Sequence, residues 1–245
     1  MQFFYHKDSG KESITLEAKD SHYLFVVRRF KQNSTLLTSN LTDNRLYTYK
    51  HERKNTFTLI STHNVKSTQK AHTNILLAMI DQKDIYDILP ILNALNVASL
   101  QLFYADFSQK NRKIDMQKAQ KILQYSCMQC GRMKPLELAL HNNLESVCIA
   151  FPKAVAIDFV LNESLLESMQ EKDFNKYIKV QHTFENLSHT EKHIYAMQGI
   201  IIGCEGGFSQ RERDFLHSTR NVYALQIPYI LTSHLTSTYI ASLCI

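Results

Sequence analysis

Short apolar runs that alternate with stretches of helical spacing constrain this chain most. Ile75-Leu76-Leu77-Ala78-Met79-Ile80 contains no polar side chain, as expected for a strand buried on both faces. Residues 84–96 follow with helical spacing, and Ser99-Leu100-Gln101-Leu102-Phe103-Tyr104 reads as the next strand. Residues 113–130 form a long amphipathic helical pattern closed by Gly131. Ala156-Ile157-Asp158-Phe159-Val160-Leu161 and Gly199-Ile200-Ile201-Ile202 are further buried strands. Ser209 opens a helix over residues 209–218 with Glu212 three positions later, the capping-box pattern. A short strand at 222–225 and a helix at 233–243 complete the series. Alternation of this kind predicts a parallel α/β domain.

The first 70 residues have a different texture. Leu46-Tyr47-Thr48-Tyr49 and Phe57-Thr58-Leu59-Ile60 are β-branched and aromatic, and Thr42-Asp43-Asn44 and Glu52-Arg53-Lys54-Asn55 punctuate them. That rhythm predicts a small β-barrel or meander. Residues 1–70 hold 12 Lys/Arg against 6 Asp/Glu, and residues 71–245 hold 16 against 17, so all the excess positive charge sits in the first segment. A basic module joined to a neutral one suits a polyanion partner for the former. Arg28, Arg29 and Lys31 surround Phe30, a grouping able to clamp phosphate while the ring stacks on a base. A plain basic surface turn is the alternative.

Other classes are disfavoured. With 44% hydrophobic residues the chain has enough apolar material to offset the entropy of folding, which excludes disorder. No apolar run approaches the ~20 residues of a membrane span, and the start lacks the pattern of a secretory signal. A cytoplasmic protein is expected. Five cysteines form no secreted disulfide framework. Cys127-Met128-Gln129-Cys130 lies inside a helical pattern, where packing is the simpler reading than zinc. His189 and His193 flank a glutamate that is misplaced for the H-E-x-x-H mechanism, so a solvated helix or loop is expected there and no metal.

The glycines give the sharpest local signal. The chain has six, and four fall between residues 199 and 207. Gly203-Cys204-Glu205-Gly206-Gly207-Phe208-Ser209 joins a buried strand to a capped helix, where glycine lets the backbone turn sharply and approach a ligand. Its spacing is neither the dinucleotide fingerprint nor a phosphate-binding loop, which disfavours a nicotinamide dehydrogenase.

That loop closely resembles the G-P-E-G-G-F-S loop of bacterial 16S ribosomal RNA uridine-N3 methyltransferases, members of the trefoil-knot (SPOUT) class. Ser126-Cys127-Met128-Gln129-Cys130-Gly131-Arg132 resembles the family's helix ending E-Q-S/C-G-R, and Ala94-Leu95-Asn96-Val97 resembles its E-L-G-V. Residues 22–30 resemble its N-terminal H-H-x-x-x-V-L-R-x segment. The matches run in order over nearly the whole chain. The resemblance implies an N-terminal PUA-like β-barrel (residues 1–70) that binds RNA, which fits the positive balance of that segment and its cations Arg28, Arg29 and Lys31. It further implies a C-terminal trefoil-knotted (SPOUT) parallel α/β domain (residues 71–245) that binds S-adenosylmethionine and forms a homodimer. Knots are rare exceptions among folds, and no periodicity predicts one.

Carried over by position, the cofactor would lie among three loops. These are the strand end at Leu161 and Asn162, the turn containing Ile202, Gly203, Glu205, Gly206 and Gly207, and the segment containing Leu225, Gln226, Ile230 and Leu231. The implied substrate is one uridine of small-subunit rRNA, uracil 1498 in the family. Glu205 is the candidate acceptor of the N3 proton and Arg132 the candidate stabiliser of the resulting anion. Capping of neighbouring helices is the alternative role of both. The sequence also departs from the family: Thr232 and His234 stand where it has Arg and Glu, Cys204 replaces a proline, and Asn96 replaces a glycine. A non-catalytic RNA-binding or ribosome-assembly relative, and a methyltransferase with another RNA target, remain open at this point.

Overall fold

The computed structural model describes residues 1–31, 33–66, 70–109, 111, 113–158, 183–227 and 230–245. They fall into two compact units, Met1–Lys70 with Gln120–Pro135, and Ala71–Ala119 with Leu136–Ile245.

The first unit is built on a five-stranded sheet in the order β1-β3-β4-β5-β2. Its strands are β1 (Phe4–Tyr5), β2 (Ser13–Thr15), β3 (Thr35–Ser39), β4 (Arg45–Arg53) and β5 (Thr56–Asn64). β1 pairs parallel with β3, and the other neighbours are antiparallel. Along β4 the buried residues are Tyr47, Tyr49 and His51, the period of two that puts one face on a core. Register shifts at Thr48/Tyr49 and His51/Arg53 interrupt the β4–β5 ladder, which bends and twists strands locally. Tyr49 is fully buried, and its hydroxyl donates to Lys11 O and accepts from Gly10 N.

This unit extends beyond residues 1–70. Cys127 and Met128, from the helix Met116–Cys130, are buried with Phe4, Leu24, Leu36, Tyr49 and Phe57. Gln2 N also donates to Met128 O at 2.7 Å. The small sheet cannot cover its own apolar face, and the later helix completes the core. The helix begins at Met116 rather than 113 because the Asp115 carboxylate accepts from Gln117 N and Lys118 N. Gly131, at φ 85°, ends it.

The second unit is a six-stranded sheet in the order β11-β9-β10-β6-β7-β8. Its strands are β6 (Asn74–Ala78), β7 (Ser99–Phe103), β8 (Glu137–His141), β9 (Val155–Ile157), β10 (Ile200–Ile202) and β11 (Val222–Tyr223). Every neighbouring pair is parallel. The expected alternation is present, with helices Gln82–Ala94, Gln210–Thr219 and Ser233–Leu243 near their predicted places. β8 and the helix Leu144–Ala150 are elements the periodicity misses. β8 is a half-exposed edge strand of mixed polarity, and the helix has only seven residues. His189–Gln198 is a helix with a Ser188/Glu191 capping box.

Asn96 explains one departure from the family pattern. It follows the C-cap of Gln82–Ala94 at φ 58°, while Val97 N bonds back to Leu92 O. That terminus needs a left-handed residue, and asparagine is the commonest substitute for glycine there.

Candidate active site

Because the sheet of the second unit is parallel, the loops leaving its strands emerge at one edge. Open α/β sheets bind ligands at the carboxyl ends of their strands, where the strand order changes direction. Here the chain runs outward from β6 through β7 to β8, and β10 pairs on the other side of β6.

The loop after β10 is a tight turn. Gly207 N donates to Cys204 O at 2.8 Å, so Glu205 and Gly206 form an exposed crest. Gly207 takes φ 70°, a conformation that glycine adopts without steric cost. A methyl group on Gly203 would lie 3.3 Å from two Gly207 backbone atoms. The turn is therefore closed against itself, with Phe208 buried beneath it as an anchor. Cys204 is buried too; burial pushes its thiol pKa up, and its Sγ contacts Gly207 O at 3.5 Å.

Ser209 caps the helix Gln210–Thr219 in a reciprocal capping box with Glu212, as the spacing predicts. The tertiary fold gives Glu212 a second task. It is 1% exposed, with one carboxylate oxygen accepting from Ser209 N at 2.9 Å and the other from Asp106 N at 3.0 Å. Asp106, in the loop after β7, accepts from Ser209 Oγ and from two nitrogens of Arg211. Ser108 of that loop donates to Met79 O, just after β6. Arg213 meets Asp158, which follows β9, at 2.8 Å. One capped helix start thus ties together the strand-end segments after β7, β9 and β10. Asp106, Phe107, Arg211 and Asp158 escape the sequence reading, because their partners are remote in sequence; only the Glu212 capping signal was visible.

Arg211 also pairs with Glu145, and that pairing holds the Glu145 pKa below its ordinary value. Both groups are substantially exposed, so Arg211→Ala should lower the melting temperature only slightly at neutral pH. A carboxylate with a depressed pKa contributes stability above its unfolded pKa and loses it as pH falls through the folded value. The gap in melting temperature between wild type and Arg211→Ala should therefore narrow in acid, measured by thermal unfolding across the acidic range.

The remaining sequence candidates are placed as follows. Ile202 is buried in β10; Leu225 and Leu231 are partly buried, and Gln226 and Ile230 are exposed. Leu161 and Asn162 lie outside the described residues. Arg132 belongs to the first unit, where its Nε donates to Lys134 O at 2.6 Å and burial pulls its pKa down. Arg28, Arg29 and Lys31 are exposed after the π-helical turn Tyr23–Val27. Between them, Phe30 is partly buried and packs against Phe25 and Phe57, with ring centroids 5.9 and 6.1 Å apart. Thr232 is the N-cap of Ser233–Leu243, and its Oγ1 lies 3.1 Å from His234 Nδ1. The His193 ring lies tilted against His72 with centroids 4.0 Å apart, and 6.4 Å from the near-parallel ring of His189. Cys127 is buried in the first unit's core and Cys130 is exposed.

Comparison with known proteins decides the family. The RNA methyltransferase domain family matches residues 67–243. A Helicobacter pylori protein named ribosomal RNA small subunit methyltransferase E is 35% identical over 250 residues, covering 99% of each chain. This chain belongs to the RNA methyltransferase family. The same fold occurs in a Neisseria gonorrhoeae ribosomal RNA small subunit methyltransferase E bound to S-adenosylmethionine. It has a TM-score of 0.71 and 12% identity over 99% of this chain and 95% of that one. A Legionella pneumophila chain in complex with the same cofactor has a TM-score of 0.72 and 18% identity over 99% and 96%. Among RNA methyltransferases, then, this is an α/β member whose glycine turn lies at the carboxyl ends of its parallel strands.

Proposed function

We propose that this protein methylates N3 of one uridine in 16S rRNA of the small ribosomal subunit, the family's uracil 1498, with S-adenosylmethionine as methyl donor. The observation that carries the reading is the near full-length relationship to small-subunit methyltransferase E. The residues present suit the cofactor. A closed glycine turn at the strand ends, with Gly206 and Glu205 exposed on its crest, can offer backbone groups to a ligand at close range. Leu161, Asn162, Ile202, Gly203, Gly207, Leu225, Gln226, Ile230 and Leu231 complete the proposed cofactor-binding set.

When bound, S-adenosylmethionine supplies an electrophilic methyl group on its sulfonium. The protein's share is to extrude the base, at a cost of a few kcal/mol of unstacking, and to hold N3 in line with that methyl. Glu205 would accept the N3 proton, leaving the N3 electron pair free to take the methyl group, with the bound cofactor's thioether as the leaving group. Arg132 is proposed to stabilise the uracil anion; Arg132→Ala should lower kcat without weakening cofactor binding.

The first unit is proposed as a PUA-like barrel that carries the RNA contact, and the second as a knotted SPOUT domain acting as a cytoplasmic homodimer. Among the described residues no helix is long and apolar enough to cross a membrane, and no cluster of three or more metal-binding side chains is present. Arg28, Arg29 and Lys31 supply phosphate contacts. Replacing all three with alanine should reduce the slope of log affinity against log salt by about 2, taking ~0.7 per single-strand contact. Filter binding of rRNA fragments at several salt concentrations measures it.

The test of the reading is methyl transfer from labelled S-adenosylmethionine to small subunits lacking the modification, with the modified position mapped. Transfer to N3 of a single uridine is expected. Cofactor binding without transfer would instead favour a non-catalytic ribosome-assembly role, the reading that the Thr232 and His234 replacements would then explain.

A further inference from the structure

The loop after β7 carries a phenylalanine that nothing in the reaction above uses. Phe107 is 57% exposed, although its neighbours Ala105 and Ser108 are buried. A methyl group placed on Gly206 would lie 3.3 Å from Phe107 Cβ, and 3.5 and 3.6 Å from its Cδ2 and Cγ. The ring therefore stands directly beside the crest of the glycine turn, next to Glu205.

Its position is fixed from several sides. Asp106 N is held by the buried Glu212, the Asp106 carboxylate by Ser209 and Arg211, and Ser108 by its bond to Met79 O. Ser108 Oγ further accepts from Ala105 N at 3.2 Å. A braced backbone presents this aromatic ring to solvent without the ordering cost that a mobile loop would incur on binding.

We infer that Phe107 is the stacking platform for the extruded uracil, fixing the plane of the base so that N3 faces the methyl donor. The inference rests on the methyltransferase reading above. The chemistry fits a pyrimidine: every base offers a π-face, and stacking on an aromatic side chain orients that face without reading its edge. Glu205 on the adjacent crest remains available to the N3 edge. The aromatic that sequence patterning offered for stacking, Phe30, is partly buried against Phe25 and Phe57 in the first unit. Phe107 is the exposed aromatic that the fold places beside the glycine turn.

Two variants and one probe test this. Phe107→Ala keeps the Cβ that touches Gly206 and removes only the ring. Its kcat/KM for unmodified small subunits should fall about 5- to 100-fold, the loss expected for one base–aromatic stack. S-adenosylmethionine affinity by calorimetry should stay within about two-fold of wild type, and Phe107→Tyr should recover most of the lost activity. Phe107→Ala with wild-type kcat/KM would overturn the proposal. So would a fall traced by light scattering to a changed oligomeric state.

The chain contains no tryptophan, so Phe107→Trp introduces a single reporter. Its fluorescence should be quenched in saturable fashion by a single-stranded RNA fragment spanning the target uridine. This readout needs no turnover. Absent methyl transfer by wild type with quenching intact would reject the methyltransferase reading and keep the stacking site. Full transfer without quenching would do the reverse.

Discussion

Gly206→Arg should abolish S-adenosylmethionine binding, with calorimetric affinity falling more than about 100-fold, close to 3 kcal/mol. Gly206 sits on the exposed crest of the Cys204–Gly207 turn, and its φ is not positive. A larger residue is therefore compatible with the backbone and should leave the fold intact. What changes is the space over the turn. The arginine side chain would occupy the volume proposed for the cofactor and place a cation near the sulfonium. Two like charges about 4 Å apart repel by about 4 kcal/mol in a surface-like dielectric. Gly206→Ala separates the two effects. Its added methyl meets Phe107 Cβ at 3.3 Å, a contact that a few tenths of an ångström would relieve, so its affinity should fall far less. Wild-type affinity in the arginine variant would remove the turn from the cofactor site.

Glu212→Ala should destabilise the second unit by about 3 kcal/mol. The carboxylate is buried and accepts from two backbone N–H groups belonging to separate segments, Ser209 and Asp106. Alanine leaves both donors without that partner and loosens the loop bearing Phe107 from the turn bearing Glu205. For a chain of this size the melting temperature should drop by roughly 6–12 °C. Faster hydrogen exchange at the Asp106 and Ser209 amides should accompany it. Glu212→Gln keeps one acceptor oxygen and turns an NH2 toward the other donor, so an intermediate loss is expected. A change below about 1 kcal/mol in the alanine variant would show that the brace is dispensable.

How far local sequence carried this protein is clearest where signals were strongest. Ile75 to Ala78 and Ile200 to Ile202 are apolar without interruption and became central strands of the parallel sheet. The glycine cluster marked the turn, and Ser209 with Glu212 marked the helix that follows it. Such features depend on neighbours within a few residues, so periodicity and capping chemistry report them. Glu137 to His141, half-exposed at the sheet edge, has no comparable pattern and went unread.

Sequence alone thus determined the alternating α/β framework, the basic first segment, the glycine turn and, through ordered motifs, the family. Tertiary structure alone decided which groups meet. It brought Cys127 and Met128 into the core of the first unit, packed Phe30 partly against Phe57, and exposed Phe107 beside Gly206. It also gave Glu212 a partner 106 residues away. The physical reason is that burial and hydrogen-bond satisfaction are settled when the chain closes on itself, and a residue's local pattern cannot specify which distant backbone amide will need its carboxylate.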